Sequence, residues 1–77
     1  MKTLTVYSRR GCHLCENLIE ELLPMIEGTL RLDVREIDTN AAWLERWAGD
    51  IPVVEYDGEV VCTHFLDREA ITGILRG

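Results

Sequence analysis

The feature that most constrains this chain is a pair of cysteines, Cys12 and Cys15, at the point where a strand pattern gives way to a helical pattern. Residues 3–7 form a β-branched and aromatic run, and residues 8–11 have the polar and glycine composition of a loop. From His13 onward, apolar residues recur every three or four positions, as on a helix that packs against a sheet. The two cysteines are therefore predicted to lie at the N-terminus of a helix that follows the first strand.

This position gives the two thiols a predicted chemistry. A cysteine at the start of a helix faces backbone N–H groups that have no partner within the helix, and these groups favour the thiolate. Thiolate is the attacking species in disulfide exchange. Cys15 follows Cys12 by one helical turn, so both sulfurs point to one side, at a separation that a disulfide can close. We predict that Cys12 attacks a substrate and that Cys15 resolves the mixed disulfide.

Three basic residues, Arg9, Arg10 and His13, flank this pair in the sequence. Positive charge beside a sulfur stabilises its thiolate and attracts an anionic thiol substrate, and both effects would suit the predicted chemistry. The same residues are equally typical of an ordinary solvated surface. The sequence alone leaves both interpretations open.

The patterns after the cysteines predict one helix and one strand. Helical periodicity continues towards Gly28, but Pro24 removes a backbone donor, so the helix is expected to kink or end near Leu23. Residues 30–35 alternate apolar and charged side chains, which predicts a half-buried strand at the edge of a sheet. Ile37 breaks this alternation and is interpreted as a bulge.

A second helix is predicted in the middle of the chain. The side-chain oxygen of Thr39 or Asn40 can accept the unpaired N–H groups of its first turn. Trp43 and Trp47 lie four residues apart on this helix, which favours packing of both on one apolar face. The alternative is that the two indoles are exposed anchors for a partner protein.

The last third of the chain predicts a hairpin and a final helix. The dipeptide Asp57-Gly58 suits the positive φ angles of a tight turn, and β-branched runs flank it on both sides. Asp67 can cap a helix that follows. The order β-α-β-α-β-β-α predicts an α/β fold, and the length predicts a single domain over residues 1–77 because so short a chain supports only one core.

Composition narrows the classes of partner. The chain has 14 acidic and 8 basic residues, giving a formal net charge of -6, and such a surface repels the phosphate backbone of a nucleic acid. No apolar run approaches the roughly 20 residues that span a bilayer, and the first residues lack the apolar core of a signal peptide. Three cysteines do not form the paired framework of a small secreted protein. We expect a cytoplasmic monomer that binds neither nucleic acid nor membrane.

Residues 7–15, Tyr-Ser-Arg-Arg-Gly-Cys-His-Leu-Cys, resemble the glutaredoxin and thioredoxin superfamily, and most closely its short bacterial glutaredoxin-like proteins. The resemblance covers essentially the whole chain and implies a thioredoxin-like fold, in which three helices flank a four-stranded mixed sheet. It implies a thiol-disulfide oxidoreductase with a cis-proline at Pro52, and with the backbone of Ile51 pairing with an extended substrate segment. It also places Arg9 where glutaredoxins contact a glutathione carboxylate. Since dithiols on this fold commonly work without a metal, no cofactor is expected.

The chain departs from that resemblance after the fourth predicted strand. Glutaredoxins that bind glutathione usually carry two glycines there, followed by a polar residue and an aspartate, whereas residues 62–65 are Cys-Thr-His-Phe. Glycines allow the backbone of a ligand to approach closely, so side chains at these positions disfavour glutathione. The expected substrate is a protein disulfide or another low-molecular-weight thiol.

The third thiol, Cys62, has three interpretations from the sequence. It can be a second resolving thiol, a metal ligand or a buried residue of its strand. On a regular strand Cys62 and His64 share a face, so with Cys12 and Cys15 they could form a zinc or iron–sulfur site. A metal-binding module and a non-catalytic docking module are therefore the alternatives to the oxidoreductase.

Overall fold

The helices and strands follow one another in the predicted order, with a 3₁₀ turn added after the second strand. The computed structural model describes all 77 residues. Its elements are β1 (Thr3–Ser8), α1 (His13–Ile26), β2 (Arg31–Glu36), a 3₁₀ turn (Ile37–Thr39), α2 (Ala41–Trp47), β3 (Val53–Tyr56), β4 (Glu59–Thr63) and α3 (Arg68–Arg76). This arrangement confirms the predicted α/β fold of four strands and three helices.

The sheet is mixed, and its strand order is β2-β1-β3-β4. β1 pairs in parallel with β2 and antiparallel with β3, and β3 pairs antiparallel with β4. β2 and β4 are therefore the edge strands, as the charges of residues 30–35 predicted for β2. The central position of β1 directs its C-terminal end, and the cysteine pair that follows, towards the first residues of β3.

Alternating side chains of β1 supply two separate apolar clusters, one on each face of the sheet. Leu4 and Val6 are fully buried against α1 and α3, where they contact residues such as Leu22. Tyr7 points to the opposite face and packs with Trp47 of α2. Because side chains alternate along a strand, β1 holds helices on both faces. None of the helices has the length and apolar character needed to cross a membrane.

The helix caps and the hairpin agree with the sequence predictions. Asn40, rather than Thr39, caps α2, since its side-chain oxygen accepts the backbone N–H groups of residues 42 and 43 at 3.0 and 3.2 Å. Asp67 caps α3. Asp57 and Gly58 join β3 to β4 with φ angles of 53° and 83°, the positive values expected of a two-residue hairpin turn.

Two local predictions need correction. α1 does not end near Leu23 but continues through Pro24 to Ile26, because Ile26 is buried in the core while Pro24 lies on the exposed face of the helix. Ile37 is not a bulge; it begins the 3₁₀ turn and is fully buried. The register shift lies instead between β3 and β4, opposite residues 60–62.

Candidate functional site

Cys12 is the N-cap of α1. Gly11, with a φ angle of 82°, lets the chain turn between β1 and the helix, and the Cys12 N–H donates to the Arg9 carbonyl at 3.1 Å. The Cys12 Sγ atom accepts the backbone N–H of Cys15 at 3.2 Å. The sulfur thus occupies the place that a serine or aspartate oxygen takes at other helix starts.

The two sulfurs of this pair, called the dithiol below, differ in exposure. Cys12 is half-buried, whereas only 1% of Cys15 is exposed. Their Cα atoms lie 5.3 Å apart, a separation that a disulfide can span, so the two sulfurs can pair. Solvent and substrates therefore reach Cys12 first.

Arg9 does not extend freely towards solvent, because it forms a bidentate ion pair with Asp38 of the 3₁₀ turn. Its Nε atom lies 3.0 Å from one carboxylate oxygen and 3.2 Å from the other, and its Nη2 atom donates at 2.8 Å. Hydrogen bonding by the guanidinium holds the pKa of the Asp38 carboxyl below its usual value. The sequence did not indicate this partner, since the two residues lie 29 positions apart.

The other two basic residues near the dithiol also lie beside acids. The Nε atom of Arg10 is 3.7 Å from a carboxylate oxygen of Glu36, and His13 Nδ1 is 3.7 Å from one of Glu16. Both basic side chains are almost fully exposed, at 88% and 93%. Arg10 and His13 are therefore ordinary solvated residues of the surface, whereas Arg9 is held in a fixed ion pair with Asp38.

Pro52 lies at the same end of the sheet as the dithiol. It is buried, and the peptide bond between Ile51 and Pro52 is cis, as the resemblance implied. The next residue, Val53, pairs with Tyr7 near the end of β1. Cys12, the N-cap of α1, follows that end by a few residues, so the loop with the cysteines lies at the same end of the sheet as the start of β3.

His64 takes a position that strand periodicity did not predict. β4 ends at Thr63, and His64 has a φ of 67°, which is rare for a residue with a side chain. The Phe65 N–H donates to the Thr63 carbonyl at 2.7 Å, completing a tight three-residue turn. The His64 N–H bonds the Pro52 carbonyl at 2.8 Å, and its Nε2 atom lies 3.3 Å from the Gly49 carbonyl oxygen.

The turn at His64 is incompatible with the metal site that the sequence offered as an alternative. His64 leaves the face of the strand that it was predicted to share with Cys62, because its backbone is left-handed rather than extended. No three His, Cys, Asp or Glu side chains lie close enough together to hold a metal ion. The predicted group of Cys12, Cys15, Cys62 and His64 is therefore not assembled.

Cys62 is a free, half-buried thiol on the edge strand β4. It lies opposite Val54 and packs against the cluster formed by α1 and α3. Burial raises the pKa of this thiol; the backbone N–H of Asp67 opposes the rise, and the Asp67 carboxylate adds to it. Of the three interpretations, this environment favours a buried residue of the strand.

The two tryptophans are packed rather than presented to a partner. The ring of Tyr7 lies 5.3 Å from Trp47 and 5.8 Å, edge-on, from Trp43. The guanidinium of Arg35 covers Trp43 at 5.3 Å. The prediction that the indoles pack together on one face is confirmed, and exposed indole anchors for docking are absent.

A four-stranded mixed sheet with three helices, and a Cys-X-X-Cys at the start of the first helix, define the thioredoxin fold class. Residues 3–76 match the model of the glutaredoxin-like domain family (DUF836), and the chain belongs to that family. This membership confirms the resemblance found in the sequence.

Known relatives support the assignment. A glutaredoxin-like protein of Dictyostelium discoideum is 28% identical over 72 residues, covering 84% of this chain and 67% of the relative. Among solved structures, protein Ne2328 of Nitrosomonas europaea is 32% identical with a TM-score of 0.83, over 95% of this chain and 89% of that one. Glutaredoxin C1 of Populus tremula x tremuloides shares the fold, at 19% identity and a TM-score of 0.56, over 97% and 75% of the two chains.

Proposed function

We propose that this protein is a thiol-disulfide oxidoreductase in which Cys12 is the nucleophile and Cys15 is the resolving thiol. The observation that carries the proposal is the hydrogen bond from the Cys15 backbone N–H to the Cys12 sulfur at the start of α1. Partial positive charge at a helix N-terminus stabilises an anion there, so the Cys12 thiolate is the favoured nucleophile. Membership of the glutaredoxin-like family supports the same chemistry.

The exchange reaction follows from the different exposure of the two sulfurs. The half-buried Cys12 thiolate attacks one sulfur of a substrate disulfide, forms a mixed disulfide and releases the other substrate sulfur as a thiolate. The buried Cys15, deprotonated, then attacks the Cys12 sulfur and releases the second substrate thiolate. The dithiol loses two electrons and two protons, and the substrate disulfide takes them up as two thiols.

We further propose that the substrate is a protein disulfide or a low-molecular-weight thiol, and that the protein acts as a monomer in the cytoplasm. Ile51 and Pro52 precede β3 at the end of the sheet where the dithiol follows β1, so a substrate segment that pairs with the Ile51 backbone would place its sulfur near Cys12. The free Cys62 suits a reducing compartment, where unpaired thiols persist. The basic residues Arg9, Arg10 and His13 flank the dithiol in the sequence, and each of them lies beside a carboxylate.

A redox titration in glutathione buffers tests the proposal directly. Free thiols are trapped by alkylation and counted by mass at each potential. We expect a reversible two-thiol transition, with Cys62 alkylated at every potential in unfolded samples. If all three thiols react together at every potential, the dithiol is not redox-active and the proposal fails.

A trapping experiment assigns the two roles. With Cys15→Ser, the mixed disulfide on Cys12 cannot be resolved, so an adduct with the substrate accumulates and is detected by mass. Cys15→Ala serves as a second variant of the same position, and both should trap the adduct. Turnover without an adduct in these variants would contradict the assignment of Cys15 as the resolving thiol.

A further inference from the structure

The positive charge of Arg9, in the loop that leads to Cys12, is neutralised by the carboxylate of Asp38. Arg9 belongs to the loop that carries the nucleophile, since its carbonyl accepts the Cys12 N–H at 3.1 Å. A free guanidinium at this position would attract any anionic thiol that approached the dithiol. Its donors are instead directed at the Asp38 carboxylate, in a bidentate arrangement with distances of 2.8 to 3.2 Å.

The pair is poorly placed to serve stability. The side chains of Arg9 and Asp38 are 43% and 50% exposed, and exposed ion pairs contribute little to folding because water and salt screen them. Bidentate geometry does hold a guanidinium in one orientation. The consequence of this pair is therefore local: it fixes where Arg9 points and cancels its charge beside the dithiol.

We infer that Asp38 is a specificity-determining residue, which disfavours anionic thiols at Cys12 by neutralising Arg9. The inference rests on the proposed function and names its substrate class: a neutral or cationic sulfur compound, such as a disulfide on an uncharged or basic protein segment. Glu36 beside Arg10 and Glu16 beside His13 act in the same direction, but they belong to highly exposed pairs at 3.7 Å.

Asp33 offers a matched control for Asp38. Its carboxylate accepts from Arg35 Nε at 2.8 Å, and its side chain is 43% exposed, so Asp33→Asn removes the same charge from a similar pair. Asp33 lies opposite Thr5, in the middle of β1, whereas Asp38 lies on the 3₁₀ turn beyond the end of β2. A general effect of net charge would appear in both variants, whereas the inferred effect belongs to Asp38 alone.

The test measures how fast three small thiols of different charge reduce the Cys12–Cys15 disulfide. Glutathione is anionic, 2-mercaptoethanol is neutral and cysteamine is cationic. Each thiolate attacks Cys12, forms a mixed disulfide with it and releases the Cys15 thiolate. A second molecule of the same thiol then attacks the sulfur of the first, which releases the Cys12 thiolate and gives the disulfide of the small thiol. Acid quenching, alkylation and mass measurement give the rate constant for each thiol.

With Asp38→Asn at low salt, we expect the rate with glutathione, relative to 2-mercaptoethanol, to rise about fivefold, because one opposing charge near the site is removed. The ratio for cysteamine should fall. Both changes should shrink in about 0.5 M salt, where screening is short-ranged. Asp33→Asn should leave all three ratios unchanged.

Changing Arg9 provides a second approach. Arg9→Gln leaves Asp38 without its partner, so the glutathione ratio should fall below that of the wild type. The double variant Arg9→Gln, Asp38→Asn should return close to the wild-type ratio. A purely structural role for the pair would lower the rates with all three thiols together and leave their ratios unchanged.

Two results would overturn the inference, and they are distinguishable. An unchanged glutathione ratio in Asp38→Asn, with normal reduction by 2-mercaptoethanol, overturns the role of Asp38 and leaves the proposed function standing. Absence of any Cys12-dependent reduction by 2-mercaptoethanol in the wild type overturns the proposed function, and this inference with it.

Discussion

Cys12 and Cys62 both lie beside the N-terminus of a helix, but the group that caps the helix differs between the two sites. At α1, Cys12 is itself the N-cap, and its sulfur accepts the Cys15 backbone N–H at 3.2 Å. At α3, the cap is Asp67, whose carboxylate accepts the Ala70 N–H at 3.1 Å. A carboxylate already occupies the favourable anion position there, and it opposes a second negative charge on Cys62.

The comparison shows that proximity to a helix N-terminus does not by itself activate a thiol. What matters is which group holds the cap, and whether the sulfur is reached by solvent or packed in the core. Burial has the largest effect on the pKa of Cys62 and raises it; the Asp67 backbone N–H, next in size, lowers it, and the Asp67 carboxylate raises it. Cys62 therefore remains protonated at neutral pH, while the α1 environment favours a thiolate on Cys12.

The largest expected difference between the two sites is in disulfide exchange. Cys12→Ser should abolish reduction of a neutral disulfide because it removes the nucleophile. Cys62→Ser should leave the rate unchanged, since Cys62 is a half-buried residue of the edge strand β4 with no part in the exchange proposed for the dithiol. The rate is measured with excess dithiothreitol as reductant and corrected for the uncatalysed reaction. Equal loss in both variants would remove the distinction.

A smaller effect is expected when α1 is made to resemble α3. His13→Asp places a carboxylate in the first turn beside Cys12, as Asp67 lies beside Cys62, and should slow alkylation of reduced Cys12 at pH 7 about threefold through like-charge repulsion. His13→Asn is the control of similar size without the charge. If both variants react alike, charge at this position does not govern the thiol.

The smallest effect is expected at Cys62. In Asp67→Asn the cap is kept, because asparagine also caps helices well, but the negative charge is lost. The pKa of Cys62 should fall, so its alkylation at a fixed pH below that pKa should become about two- to threefold faster. With the dithiol oxidised, alkylation of Cys62 in the wild-type protein should become fast only at a higher pH than for an ordinary thiol, since the pKa of Cys62 is raised.

Glu69→Gln serves as the control for that measurement. Glu69 also lies in the first turn of α3, but it is not among the groups that shift the pKa of Cys62. Its neutralisation should leave the pH profile of Cys62 alkylation unchanged. A shift of equal size in both variants would indicate a general effect of net charge rather than a specific effect of Asp67.

Local signals in the sequence were sufficient for most of the fold. The cap at Asp67 and the turn at residues 57–58 depend on a few neighbouring residues and were predicted from them, and the cap of α2 was narrowed in the same way to Thr39 or Asn40. The placement of Cys12 and Cys15 at a strand-to-helix junction is equally local. α1 runs on past Leu23 to Ile26, and Ile37 begins a 3₁₀ turn instead of forming a bulge, because burial of Ile26 and Ile37, which local rules do not contain, decided both.

The sequence by itself determined the order of the helices and strands and the position of Cys12 and Cys15 at the start of α1, because both depend on residues that are close together in the chain. Only the tertiary structure decided what surrounds the dithiol. Asp38 reaches Arg9 across 29 residues, and His64 leaves the strand to bond the Gly49 and Pro52 carbonyls. Such contacts join segments that are distant in the chain, so they exist only once the sheet has brought those segments together.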